Sequence, residues 1–316
     1  MAEIGQDIIQ AKNLLDQGEL VAIPTETVYG LAGNARNESA VARIFEVKKR
    51  PFFDPLIVHI GAISQLSEIA DDLPSWAEAL AHKFWPGPLT LVLPKSPAIP
   101  DLVSAGLPTV AVRMPNHNLT LNLLSTLSYP LAAPSANPFG YISPTTAEHV
   151  QAQLGDDIAY ILDGGPCMVG IESTIVGYDD SNAIIYRKGG IPLEEIAEIT
   201  GSLTRVEDHS NPLAPGMLKS HYAPSKKVVM GEISDLLKTH ASQQIGILSF
   251  RKQFSEVAAS RQIQLTSDGD LKEAAKNLFA ALRKLDAMPI THILVEPVPD
   301  QGLGQAINDR LRRASS

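Results

Sequence analysis

The chain carries a single cysteine, Cys167, in 316 residues. That excludes an intramolecular disulfide framework and any multi-cysteine metal site. No histidine lies near Cys167 in sequence to activate it, so the thiol reads as buried or incidental. Aromatic residues are scarce, at 5%, and positive charge is in deficit, with 26 Lys and Arg against 35 Asp and Glu for a net charge of −9. Broad electrostatic binding to nucleic acid rests on many basic contacts to phosphate and is disfavoured by this balance. No apolar run approaches the length that crosses a bilayer, and Met1-Ala2-Glu3 opens neither the basic nor the apolar region of a signal peptide, so a cytoplasmic protein without membrane contact is expected. The phosphate loop G-x-x-x-x-G-K-[ST] is missing. Eight histidines include no H-E-x-x-H and no close pair, so no metal-ligating residue is assigned. Gly302-Leu-Gly304 holds Ile307 where a dinucleotide fingerprint needs its third glycine, and reads as a tight turn. The acidic doublets Asp71-Asp72, Asp156-Asp157 and Glu194-Glu195 fit solvated helix ends or turns better than an acid/base pair.

Against this acidic background the few positive concentrations are informative: Lys48 to Arg50, Arg113, Arg187-Lys188 and Arg310 to Arg313. The first heads the stretch Lys48-Lys-Arg-Pro-Phe-Phe-Asp-Pro-Leu-Ile-Val-His59. Pro51 and Pro55 set a loop between a helical pattern at 39–46 and an apolar strand at 56–60 that ends in an imidazole. Arg offers a planar fork and Lys a point charge for a highly charged anion such as a nucleotide triphosphate. Taken alone, the plainer reading of a solvated basic helix end weighs more.

At this length two domains are expected. Residues 7–17 show helical apolar spacing and stop at Gly18. A strand at 20–23 empties into Pro24-Thr-Glu-Thr-Val-Tyr-Gly30, either a ligand-facing strand end or a turn into a following helix with Thr25 or Thr27 as cap. Helices are predicted at 65–73 and 76–84, a stop at Trp85-Pro-Gly-Pro88, and a strand at 89–93. In Pro108-Thr-Val-Ala-Val-Arg-Met-Pro115, alternation places Thr109, Ala111 and Arg113 on one face and the valines on the core face. A third strand ends in Leu131-Ala-Ala-Pro-Ser-Ala-Asn137, and Thr145-Thr-Ala-Glu148 fits a capping box for a helix ending near Gly155. Ser135 stands in no G-x-S-x-G elbow and reads as a hydrogen-bonding residue. Further strands at 158–162, 174–176 and 183–186 also end in Ser, Thr, Arg or Gly. Together, the ends at 24–30, 109–113, 133–137, 171–174 and 187–190 suggest side chains converging on one concave site. From about residue 203 the chain loses its period and gains prolines, a connector at 204–225. Beyond it strand and helix alternate as in a small α/β domain with a largely parallel sheet.

These motifs resemble the Sua5/YrdC family of L-threonylcarbamoyladenylate synthases, in the long Sua5 form. The resemblance rests on the residues from Pro24 to Leu31, Lys48-x-Arg50-Pro with Pro55-Leu-x-Val-His59, Trp85 to Thr90, Thr109 to Pro115, Ala133 to Asn137 and Ser173 to Val176. Pro215-Gly-Met-x-x-x-His-Tyr-x-Pro224 and Gly302-Leu-Gly-x-Ala-Ile-Asn-Asp-Arg310 match the long form. The resemblance implies a YrdC-like twisted mixed sheet whose helices form a concave site over 1–203, a linker at 204–225, and a smaller Rossmann-like α/β accessory domain at 226–316. Closure of that linker over the site is a separate expectation, drawn from Tyr222 and the segment's lack of period. The resemblance implies a nucleotidyltransferase that converts ATP, L-threonine and bicarbonate to threonylcarbamoyl-AMP and pyrophosphate. The product would feed the N6-threonylcarbamoyl modification of adenosine 37 in tRNAs reading ANN codons, through downstream transfer machinery. Threonine contacts would fall on Thr27, His59, Arg113, Ala133 and Ser173. ATP contacts would fall on Arg50, Asp54, Thr109, Ser135, Ser143, Arg187 and Tyr222, with Lys48 and Arg50 serving catalysis at the phosphates. Magnesium would accompany ATP, held chiefly by phosphate. Asp54 departs from the Asn frequent in the family; an acid facing nucleotide needs a hydroxyl, an amine or a magnesium ion as partner. An RNA-binding module with weak tRNA contact, and carbamoyl-adenylate chemistry on another acceptor, stand as alternatives.

Overall fold

A computed structural model describes residues 1–179, 182–201, 203–205, 214, 222–240 and 244–316. Its first layer is a mixed sheet of the strands β1 (Glu3–Gly5), β2 (Val21–Ile23), β3 (Gly30–Asn34), β4 (Ile57–His59), β5 (Leu89–Pro94), β6 (Thr109–Arg113), β7 (Leu131–Ala132), β8 (Tyr160–Leu162), β9 (Thr174–Asp179), β10 (Asn182–Arg187) and β11 (Leu203–Arg205). Their order is β1-β8-β2-β3-β7-β4-β6-β5-β9-β10-β11. Parallel and antiparallel neighbours alternate irregularly along it. The α-helices packed about it are α1 (Ile8–Asp16), α2 (Glu38–Lys48), α3 (Ser75–Phe84), α4 (Asp101–Ser104), α5 (Asn118–Thr126), α6 (Ala147–Leu154) and α7 (Leu193–Thr200). One face buries Val58, Leu91, Val110 and Val112 with Ile44 and Leu80, as the alternation of β6 requires. The other places Ala111 with Ile57, Val92, Ile175 and Ala214.

The C-terminal sheet contains β12 (Lys227–Met230), β13 (Ile245–Ser249), β14 (Gln262–Gln264) and β15 (His292–Val295), all parallel, in the order β12-β15-β13-β14. α8 (Ile233–Thr239) covers one face through Ile233, Leu236 and Leu237. α9 (Leu271–Asp286) and α10 (Leu303–Ala314) cover the other. Helices on both faces of a parallel sheet make this unit Rossmann-like. Among the described residues no helix is long and apolar enough to cross a membrane.

Several local expectations change. The turn after β2 leads into β3 rather than a helix: Thr25 Oγ1 accepts from the Thr27 and Val28 amides, and Ile23 then pairs with Gly30. Gly30 permits this, since a Cβ there would lie 3.2 Å from that of Ala133. The helix predicted at 65–73 is a 3₁₀ segment, Ile63–Glu68, because an isolated bridge from Ala70 to Lys95 pulls the following chain toward the sheet. The N-cap of α6 is Thr146, not Thr145; its hydroxyl accepts from the His149 amide, which shifts the frame of the expected capping box. Residues 206–213 and 215–221, the body of the expected lid, lie outside the described residues.

Candidate active site

Strand ends meet at a cleft of about 570 Å³, open mouth included, walled among others by Thr27, Arg50, His59, Arg113, Ser135 and Arg187. β4 and β6 run parallel with His59 beside Arg113 in register, so the two side chains leave the sheet together. Arg113 donates from Nη1 to Thr27 Oγ1 at 2.8 Å, and its Nη2 lies 2.7 Å from Glu26 Oε1. The second Glu26 oxygen accepts from the Asn116 amide at 3.0 Å. This fork is therefore aimed before any ligand arrives. His59 Nδ1 is 3.2 Å from the Ile57 carbonyl, so Nδ1 carries the proton and Nε2 is left as an acceptor. Burial, with Arg113 alongside, pushes the imidazole down to about 3, so His59 is neutral.

The opposite wall is cationic. Arg50 is held by its own loop, donating from Nε to the Asp54 carbonyl at 3.0 Å and from Nη2 to that of Pro55 at 2.8 Å. The same Nη2 lies 2.9 Å from Asp54 Oδ2. Asp54, departing from Asn, thus has a guanidinium as its partner inside the protein. Burial nonetheless raises its carboxyl above the usual range, with Arg50, Lys48 and Arg187 opposing. Arg187 donates from Nε to the Ser173 carbonyl at 3.1 Å and from Nη2 to Ser173 Oγ at 3.0 Å. Ser173 Oγ also meets Thr90 Oγ1 at 2.7 Å.

Ala133 and Tyr222 complete the set of proposed residues that line the cleft. The others stand behind it or away from it. Lys48 is buried and its Nζ donates to the carbonyls of Ser135 and Asn137, so it shapes the Ser135 loop from the rear. Burial also drives its ammonium well below the ordinary lysine range. Ser143 donates to Glu172 Oε1 at 2.6 Å. Thr109 opens β6 opposite Pro94, roughly 13 Å along the strand from Arg113, and the described residues of the cleft do not include it.

Two carboxylates carry no sequence signal of their role. Glu26 sits in the 24–30 stretch as one polar residue among several, and Glu172 follows an apolar residue with nothing local to mark it. Its partner Arg310, fully buried, comes from α10 and reaches Glu172 Oε2 at 2.9 Å. Only a fold that brings α10 to the segments at Glu172 and Lys188 could reveal it. Three arginines lining the cleft, Arg50, Arg113 and Arg187, stand against one lining carboxylate, Glu172, which concentrates positive charge in an acidic chain.

A family model described as "Telomere recombination" matches residues 13–189, and one described as "Threonylcarbamoyl-AMP synthase, C-terminal domain" matches residues 191–316. The chain is 43% identical to a threonylcarbamoyl-AMP synthase of Pyrococcus abyssi, over 96% of this chain and 93% of the relative. It is 41% identical to one of Bacillus subtilis, over 98% and 92%. The crystal structure of P. abyssi Sua5 complexed with L-threonine superposes with a TM-score of 0.93 at 39% identity, covering 100% of this chain and 97% of that one. E. coli YciO shares the fold of the first domain, with a TM-score of 0.54 at 20% identity over 60% of this chain and 96% of that one. The chain belongs to the Sua5/YrdC family, in the long form that carries a second, C-terminal domain.

Proposed function

We propose that the chain is a threonylcarbamoyl-AMP synthase acting on ATP, L-threonine and bicarbonate. The observation that carries this is one cleft with two unlike ends: a pre-aimed Arg113 fork beside neutral His59, and the guanidinium groups of Arg50 and Arg187. The first end suits an amino-acid carboxylate, which Arg113 can bind bidentately. The second suits a triphosphate. Nucleophilic attack needs no protein base, because the carbamate formed when the neutral threonine amine and bicarbonate condense with loss of water already carries a charged oxygen. That oxygen attacks the α-phosphorus, the bond to the bridging oxygen breaks, and pyrophosphate leaves with its electron pair. Arg50 and Arg187 offset the charge that develops on the departing phosphates. Lys48 acts one step back, by fixing the carbonyls that set Ser135.

When bound, magnesium would accompany the triphosphate and neutralise its oxygens. The carboxylates in and near the cleft, Asp54, Glu26 and Glu172, each already face an arginine, which fits an ion that would be held chiefly by phosphate oxygens. The product is a mixed anhydride labile in water, which favours delivery in the cytoplasm to machinery that transfers threonylcarbamoyl to tRNA. Pyrophosphate release from ATP should require both L-threonine and bicarbonate. Release that ignores threonine would overturn the reading, and salt-dependent tRNA binding without any release would favour an RNA-binding role.

A further inference from the structure

We propose that Arg310, on α10 of the C-terminal domain, is a positioning residue for the nucleotide end of the cleft, fixing Glu172 and the strand end that bears Arg187. The proposal rests on the ATP reading of that end. Arg310 does not line the cleft, yet its guanidinium is spent on three separate segments. Nε lies 2.9 Å from Glu172 Oε2, Nη1 2.9 Å from Asp309 Oδ2, and Nη2 donates to the Lys188 carbonyl at 2.9 Å. Its carbon lies 5.0 Å from the centre of the Tyr222 ring, a cation–π distance.

The placement brackets Arg187. Lys188 follows it in sequence, and Glu172 precedes Ser173, whose carbonyl and hydroxyl accept from the Arg187 guanidinium. Arg310 thus anchors both the backbone after Arg187 and the segment its side chain leans on. Glu172 is anchored a second time by Ser143. The carbonyl of Ser143 in turn accepts from Arg283 Nε of α9 at 3.3 Å. Two consecutive helices of the C-terminal domain therefore hold one wall of a cleft built on the other sheet. The Arg113 and His59 side chains at the threonine end have local supports instead, Arg113 from Glu26, Thr27 and the Gly87 carbonyl and His59 from Ile57. Ser173, a threonine contact by resemblance, is by contrast taken up by Arg187 and Thr90 and moves with the nucleotide wall.

Arg310 also has an electrostatic task. Glu172 lines the cleft and is nearly buried. Without Arg310 its charge would be uncompensated, would repel an anionic ligand and would compete for Arg187. Loss of Arg310 should therefore weaken ATP far more than threonine, and removing the Glu172 charge should restore part of the loss.

The test uses full-length Arg310→Met, Arg310→Lys and the double variant Glu172→Gln/Arg310→Met, with initial rates of pyrophosphate release measured against ATP and then against threonine. Arg310→Met should raise KM for ATP about tenfold or more and leave KM for threonine within about twofold. Arg310→Lys should lie between Met and wild type, and the double variant should recover part of the ATP affinity. A purely structural stitch would raise both KM values together or lower only the amount of active protein, and either result overturns the proposal. Should Arg310→Met fail to fold by circular dichroism, Arg310→Lys carries the same comparison. A wild-type chain without threonine-dependent release would sink the proposed function separately. Calorimetric titration with ATP would then decide this inference, equal affinity of wild type and Arg310→Lys overturning it.

Discussion

His59 illustrates how one residue can have its chemistry set by its neighbours. Its ordinary pKa would leave it partly charged near neutrality, where a cation beside Arg113 would be costly. Burial and Arg113 push it down to about 3. Because the folded value lies below the unfolded one, the unfolded chain binds more protons between about pH 6.5 and 3. The stability linked to a neutral His59 is therefore complete above pH 6.5 and is lost as pH falls through that window, at no more than about 1.4 kcal/mol per pH unit. The His59 imidazole resonance should stay at its neutral position from pH 8 to 5 in an NMR titration. A midpoint near 6.5 would mean the ring is solvated. The sequence showed His59 as an imidazole at a strand end, but its tautomer depends on the Ile57 carbonyl two residues back. Its neutrality depends on Arg113, brought alongside only by the β4–β6 pairing.

At the level of elements, α10 must enter at one angle to deliver Arg310. Gly302 has φ +50°, and a Cβ on Gly304 would sit 1.9 Å from the Pro299 carbonyl oxygen. Alanine normally favours a helix by about 1 kcal/mol over glycine. Here the clash should outweigh that gain, and Gly304→Ala should destabilise by about 2 kcal/mol or more in urea melts. Gly231→Ala, in the same domain, meets only atoms at 3.5 Å and beyond and provides the control. Equal midpoints for the two variants would remove close approach as the reason for glycine. The Gly302-Leu-Gly304 turn was visible in sequence because glycine pairs mark such geometry directly. Strand ends at 24–30, 133–137 and 187–190 were visible through their switch from apolar to polar residues. β3 was not, since Gly30-Leu-Ala-Gly-Asn34 has low strand propensity and is held by its partners β2 and β7. Glu172 and Arg310 escaped because their pairing crosses 138 positions.

Across the whole molecule, each sheet has cores of its own, and one apolar cluster is shared between the domains. The apolar cluster of α9 and α10 includes Val28, Ile142 and Ile171 from the first domain, together with Tyr222. Tyr222 stacks on Phe279 of α9 with ring centres 5.6 Å apart. Asp286, at the end of the same helix, accepts from the Ser225 hydroxyl and the Lys226 amide, tying the chain that enters the second sheet to the helix that closes it. Val28 follows Thr27 directly and Ile142 precedes Ser143, so the shared cluster lies behind the cleft rather than at a remote edge. Opening this interface would expose apolar side chains worth roughly 1.5–3 kcal/mol each. It would also break the buried Glu172–Arg310 pair, a loss that rehydration of the two charges largely offsets. The apolar penalty is comparable with the stability of a whole domain, which argues that neither half unfolds alone. Differential scanning calorimetry of the full chain should give one endotherm, and tryptophan fluorescence from Trp76 and Trp85 should report the same midpoint as far-ultraviolet circular dichroism. Both tryptophans lie in the first domain. A C-terminal transition that precedes their signal would show the domains to be independent, and the coupling of α10 to the cleft would then be too weak to position Arg187.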